Sequence, residues 1–346
     1  PNVLFIMIDD LCWTDLSCTG STFYETPNID KLRSQGMLFT QAYGTSPVCS
    51  PARAALMTGR QQHRYGLTDV FMANAYDRYT KCITTAPNPN LPQEEITLGK
   101  LFKKAGYRTA LIGKWHIGAA KGSKPQDHGF DFVVPETKAM GVQGDWRALN
   151  KYTDAAIEFI TQNKGKPFYA HIGHTVVHLP YEAPPELIEK YSKKVKPGDA
   201  QQFPIYAATI ELLDNKIGEL MQKLDELGVA DNTIVVFTSD NGGRNSNYDW
   251  QLVTSNDPLK MGKHTLYEGG IRVPQFVRWP GKIAANTTCE TPMTAMDFFP
   301  TFARLIGEDI KQFNRDYDGN DIAALFVGGT IPARNLFWYY PHYNHG

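Results

Sequence analysis

The chain has 346 residues, long enough to bury a substantial core as one large domain or a domain with a small appendage. Its 35 basic side chains nearly balance 36 acidic ones, leaving a net charge of −1, which excludes a nucleic-acid binder held by a broad basic face. No apolar run approaches the roughly 20 residues that span a bilayer. The 5 cysteines are scattered and form no C-x-x-C pair, so they fit neither a disulfide framework nor a zinc site.

The chain opens directly on "VLFIMI" (Val3–Ile8), a continuous apolar run expected of a strand covered on both faces. A leader peptide is therefore expected to have been removed or to lie outside this sequence. "TPNIDKLRSQG" predicts a helix with Thr26 as N-cap, Pro27 in the first turn and Gly36 at the end. Ser50 and Pro51 predict another helix start, placing Cys49 just before it. Helix-then-strand pairs follow: Thr97–Gly106 into Tyr107–Ile112, Asp154–Asn163 into Phe168–Ile172, and Ile205–Leu227 into Ile234–Ser239. This alternation predicts an α/β fold with a large, mainly parallel sheet covered by helices on both faces. A catalytic domain is expected over residues 1–313, with a linker and the start of a C-terminal subdomain over 314–346. The tail "WYYPHYNH" (Trp338–His345) has the composition of sugar-binding surfaces, and equally of hinge packing. The stretch Phe71–Asn90, with Tyr76, Arg78 and Tyr79, reads as an insertion at the rim of the site. Cys12, Cys18, Cys82 and Cys289 read as small buried hydrophobes.

In an open α/β sheet, ligands gather beyond the carboxyl ends of the strands. Two predicted strands end there in acidic turns, Val3–Ile8 in Asp9–Asp10 and Ile234–Ser239 in Asp240–Asn241. Adjacent buried acids repel and resist ionisation, so paired turns of this kind favour a bound cation. A donor set of oxygens without sulfur or histidine suits Ca²⁺, with Mg²⁺ as the alternative. Three further turns carry cations or imidazoles: Lys114 and His116, then His174 and His178, then Lys263 and His264. Gathered at one rim, they would surround an oxyanion beside the metal.

Cys49, at a helix start, reads first as a thiol of lowered pKa, because that position favours anions. Arg53 in the first turn opposes the helix dipole and therefore needs an anionic partner. A thiolate nucleophile beside a hard metal is chemically mismatched, since such ions prefer oxygen.

"CSPAR" (Cys49–Arg53) followed by "LMTGR" (Leu56–Arg60) resembles the signature of the type I sulfatases, in which the cysteine is oxidised to formylglycine. "PNVLFIMIDD", "TPNIDKLRSQGMLFTQAY", "AGYRTALIGKWHIG", "HGFDF", "TSDNGG" and "YEGGIRVP" resemble that family's blocks in the same order. The resemblance implies an alkaline-phosphatase-like α/β sandwich and a small C-terminal subdomain that is truncated in this chain. It implies that Asp9, Asp10, Asp240 and Asn241 hold calcium, with the modified Cys49 completing the shell. Hydrated formylglycine then attacks sulfur, expels the alcohol, and collapses to the aldehyde with release of sulfate. Arg53 would orient the diol, His116 would assist its collapse, and Lys114 and Lys263 would bind sulfate oxygens. Lys263 and His178 would assist the leaving group, while Asp240 would take a proton from the diol and His174 and His264 would stay structural or peripheral. The implied partners are a sulfated carbohydrate or aryl sulfate and a formylglycine-generating enzyme, in a periplasmic, secreted or lysosomal setting. Rival readings are a phosphodiester or phosphonate monoester hydrolase on the same scaffold, a silent sulfated-glycan-binding protein, and a plain thiol enzyme using Cys49 and His116.

Overall fold

A computed structural model describes residues 1–70, 86–137, 145–196, 198–248 and 251–342. Tyr76, Arg78, Tyr79 and Cys82, and the tail from Tyr343 to Gly346, lie outside the described residues. Eight strands form one sheet: β1 (Asn2–Ile8), β2 (Met37–Phe39), β3 (Arg108–Gly113), β4 (Phe132–Pro135), β5 (Phe168–Gly173), β6 (Thr233–Ser239), β7 (Gln275–Arg278) and β8 (Thr287–Cys289). Their order across the sheet is β8-β2-β7-β6-β1-β5-β3-β4, and β7 alone pairs antiparallel with its neighbours. The mainly parallel α/β architecture is therefore as the sequence predicts.

Strand β1 alternates its side chains between two cores. Leu4, Ile6 and Ile8 pack with α1 (Pro27–Ser34) and with the helices Leu149–Asn163 and Pro204–Glu226. Val3, Phe5 and Met7 face α2 (Cys49–Thr58), α3 (Leu98–Lys104) and the Phe298–Leu305 helix. Burial on both faces is why β1 reads as an unbroken apolar run, and β5 and β6 are buried along their whole length as well. Residues Ile322, Leu325 and Phe326 join the second core, and the chain beyond Gly328 crosses the body without regular structure. Gln61 and Gln62 donate to the carbonyls of Phe337 and Tyr339, and the Trp338 indole donates to Gly44 O.

Register sets the level of the site. Met7 of β1 pairs with Gly173 of β5 and Thr238 of β6, and Gly113 of β3 pairs with Gly173. The residues following these four strands therefore emerge along one edge of the sheet. The start of α2 differs by one step from the expectation. Cys49 is already helical, with extended Val48 in the capping position. The Ser50 hydroxyl is buried and caps nothing, so α2 begins without a side-chain cap and ends on Gly59 at φ 67°.

Candidate active site

The four strand ends bring the predicted acids and cations together. Asp9, Asp10, Asp240 and Cys49 each offer one ligand atom within 4.8 Å of the others, and all four are buried. Lys114 Nζ lies 2.5 Å from Asp9 Oδ2, and Lys263 Nζ lies 2.6 Å from Asp10 Oδ2 and 3.5 Å from Cys49 Sγ. Arg53 meets the anionic partner that its helix position demands: its Nε donates to Asp240 Oδ2 at 2.8 Å, and its Nη1 donates to Lys114 O. His178 Nε2 stands 3.8 Å from Asp10 Oδ2, while its Nδ1 is 2.7 Å from Leu179 O. Asp10 and His116 adopt left-handed backbone at φ 63° and 58°, a local strain typical of functional turns.

Burial would raise the Asp9 carboxyl, but Lys114, His178, Arg53 and Lys263 outweigh it and hold Asp9 well below the usual carboxylate range. Asp10 is lowered as well, with Lys263 the strongest counter to its burial. At Asp240 burial wins over Arg53 and the carboxyl is raised. The sequence expectation for the thiol is reversed. Burial, Asp240 and Asp9 push the Cys49 thiol well above its ordinary value, despite its place in the first helical turn. The helix dipole contributes at most a kcal/mol or two, less than desolvation beside two carboxylates. Burial and Lys114 lower the His116 imidazole to about 3, so it is neutral near pH 7.

The donor set fits a hard divalent cation. Three carboxylates converge, and Asn241 adds an amide whose Nδ2 donates to Asp10 Oδ1 while its buried Oδ1 has no hydrogen-bond partner. A buried acceptor with no hydrogen-bond partner beside convergent carboxylates suits a hard cation as its partner. Asp9, Asp10 and Asp240 are balanced by Arg53, Lys114 and Lys263. A divalent cation held there would make this neutral cluster cationic and suited to an anion.

His174 is buried behind the site against Tyr152, where burial and then Arg53 lower it to about 4. His264 follows Lys263, and burial and that lysine lower it to about 4. Sequence reasoning missed the residues that hold the loops. Arg147 Nη2 reaches Thr175 O at 3.4 Å and His178 O at 3.4 Å, bracing the His178 loop. Asp15 is fully buried and accepts from Cys12 N, Tyr206 Oη and Thr254 Oγ1. The Cys12 thiol donates to Asn256 Oδ1, and Asn256 Nδ2 and Lys263 N both donate to Gly243 O. This network ties the loop after β1 to the loop that carries Lys263. Its members sit far apart in sequence, and only the acid in an otherwise apolar-flanked turn ("WTDLS") hinted at it.

The sequence profile of the Sulfatase family matches residues 1–308. The chain belongs to the sulfatase family. The N-acetylgalactosamine-6-sulfatase of Canis lupus familiaris is 32% identical over 377 residues, covering 98% of this chain and 68% of that protein. The crystal structure of Ps i-CgsB in complex with k-i-k-neocarrahexaose superposes with a TM-score of 0.79 at 29% identity, covering 95% of this chain and 76% of the other. The phosphonate monoester hydrolase of Agrobacterium radiobacter shares the fold alone, with a TM-score of 0.72 at 20% identity over 98% of this chain and 79% of that one. This sulfatase is thus a sulfuric ester hydrolase on an alkaline-phosphatase-like scaffold, and the buried cluster is its candidate metal centre. Among its described residues, no helix is long and apolar enough to cross a membrane.

Proposed function

We propose that this sulfatase removes sulfate from a sulfated carbohydrate, using residue 49 as a formylglycine and a calcium ion held by Asp9, Asp10, Asp240 and Asn241. The observation that carries the reading is the setting of Cys49: its sulfur lies 3.2 Å from Asp9 Oδ1 among hard oxygen donors that disfavour a thiolate. An oxygen nucleophile at the same position removes the mismatch. The carbohydrate class is supported by the relative named N-acetylgalactosamine-6-sulfatase and by the neighbour whose structure holds k-i-k-neocarrahexaose.

Calcium, when bound, supplies Lewis acidity to the sulfate oxygens and to the hydroxyl of residue 49. The chain's own groups do the rest. Arg53, fixed by Asp240, orients the side chain of residue 49 from one turn along α2. Lys114 beside Asp9 and Lys263 beside Asp10 carry positive charge that can stabilise the charge developing on the transferred group. His178 donates a proton to the departing alcohol, with Lys263 beside it. His116, neutral at working pH, accepts the proton whose loss lets the sulfated residue 49 release sulfate and regain its aldehyde.

Cys49 is 1% exposed and Arg53 2%, so a formylglycine-generating enzyme must act on this segment before it folds. That maturation suits a periplasmic or secreted protein. The test is sulfate release from sulfated oligosaccharides and an aryl sulfate, run beside a phosphodiester and a phosphonate monoester, with residue 49 confirmed as modified. Dominant sulfate release is expected, and faster phosphodiester or phosphonate turnover overturns the reading.

A further inference from the structure

A concavity of about 450 Å³ opens next to the catalytic loops and takes no part in the chemistry above. Its volume falls within the range of small-ligand sites, roughly 300–1,000 Å³. Its lining includes Trp13, Phe23, Asp257 and Pro258, with the exposed Thr22 and Lys196.

Two of the lining segments lie close in sequence to the candidate active site. Trp13 lies three residues after Asp10, and Asp257 lies six before Lys263. An extended chain spans at most about 3.6 Å per residue, so the Trp13 backbone is within ~11 Å of the Asp10 backbone. A short oligosaccharide covers that separation. These segments are also fastened to each other. Thr14 Oγ1 donates to Ser255 O at 2.8 Å, and Gln201 Nε2 donates to Thr14 O at 3.1 Å. The Arg272 guanidinium sits 5.9 Å from the Trp13 ring, bracing the indole. The cavity is therefore pre-formed, which lowers the ordering cost of binding.

The lining selects the ligand class. The half-buried Trp13 offers one aromatic face near the Thr22 hydroxyl and the Asp199 and Asp257 carboxylates, while the Phe23 ring is buried against Tyr24 and Tyr191; a hydroxylated ring satisfies that combination by stacking and hydrogen bonding. Of the two lysines, Lys194 is committed to Phe23 O and Glu25. Lys196 has no carboxylate partner among the described residues, so its ammonium can meet an acidic substituent on the same glycan.

We propose that this cavity is a distal saccharide subsite, holding a further sugar ring of the glycan whose sulfated residue occupies the catalytic centre. The sulfatase would then act on oligosaccharides in preference to free sulfated monosaccharides. The inference rests on the carbohydrate reading above, and its test separates the two. Thr22→Trp fills the cavity from an exposed position, and Trp13→Ala removes the stacking face. The substrates are sulfated tetrasaccharides containing galactose or N-acetylgalactosamine, with nitrophenyl sulfate as the small reference. The ratio of kcat/KM for tetrasaccharide over nitrophenyl sulfate is expected to fall about tenfold in each variant, through KM of the tetrasaccharide. In parallel, calorimetry follows binding of the sulfate-free tetrasaccharides, which need no turnover. Binding to the parent protein that is lost in Thr22→Trp supports the subsite even if no sulfate is released, a result that would overturn only the functional reading. An unchanged ratio, or absence of sulfate-free binding at millimolar sugar in a protein that hydrolyses nitrophenyl sulfate, overturns the subsite.

Discussion

Replacing Arg53 by methionine probes how the site carries its charge. The change keeps much of the side-chain length but leaves the Asp240 carboxylate, buried and 2.8 Å from Arg53 Nε, without its counter-charge. Breaking a buried pair by removing one partner costs about 3–5 kcal/mol. Lys114 O also loses the donor at 3.1 Å, worth about 1 kcal/mol. Asp240 can relieve part of the loss by binding a proton, since burial already raises its carboxyl, so the low end of about 3 kcal/mol is expected. Calcium changes the balance, because it takes over as the counter-ion of Asp240 and no longer faces the Arg53 charge. Its affinity is expected to rise about tenfold in the variant, narrowing the stability gap by ~1.4 kcal/mol at saturating calcium. Urea denaturation followed by tryptophan fluorescence, in chelator and in excess calcium, measures both numbers. A loss under about 1 kcal/mol in chelator, or a gap that widens with calcium, would refute the charge-compensation argument.

Lys263→Met removes the ammonium 2.6 Å from Asp10 and is expected to lower kcat by about 10²–10³ with the fold intact by circular dichroism, whereas a loss under tenfold would contradict its role. Burial raises Asp15 from its ordinary value to about 6. A carboxyl with a folded pKa above its unfolded one favours folding while protonated, so that contribution falls as pH rises from near 4 through 6, by about 3 kcal/mol in all. The stability gap between the natural protein and Asp15→Asn should therefore shrink between about pH 4.5 and 7, and a pH-independent gap in denaturation curves would count against it. Gly173→Ala places a methyl 2.5 Å from Lys114 O and 3.1 Å from Arg53 Nη1, so a destabilisation of about 1–3 kcal/mol with reduced turnover is expected. Thermal denaturation and kcat check it, and a neutral result would contradict the close approach of β3 and β5 at Gly173.

The parts of the molecule written in local pattern are legible in the sequence. Val3–Ile8 announced a doubly covered strand and Ile234–Ser239 a strand after a long helix, and the acids following them mark the sheet edge where Asp9, Asp10 and Asp240 converge. Arg53, misplaced for a helix dipole, pointed to its carboxylate partner. Short strands were not visible: Met37–Phe39, Phe132–Pro135 and Thr287–Cys289 are too brief for a period-2 signal, and their identity comes from pairing. Nor could local rules predict the Cys49 thiol, because helix position argues one way and three-dimensional burial beside Asp240 and Asp9 argues more strongly the other. Asp15, Asn256 and Arg147 escaped for the same reason, since each acts across long sequence separations.

The most direct test of the account is to quantify the side chain of residue 49 and the sulfatase rate on the same samples. Mass spectrometry of the peptide spanning Val48–Arg53 distinguishes the thiol from an aldehyde, in which one oxygen replaces the sulfur and two hydrogens. Preparations with graded conversion are assayed for sulfate release, with and without calcium chelation. Turnover proportional to the aldehyde fraction and abolished by chelation is the predicted result. Equal turnover by protein carrying only the thiol, or activity that survives chelation, would contradict it.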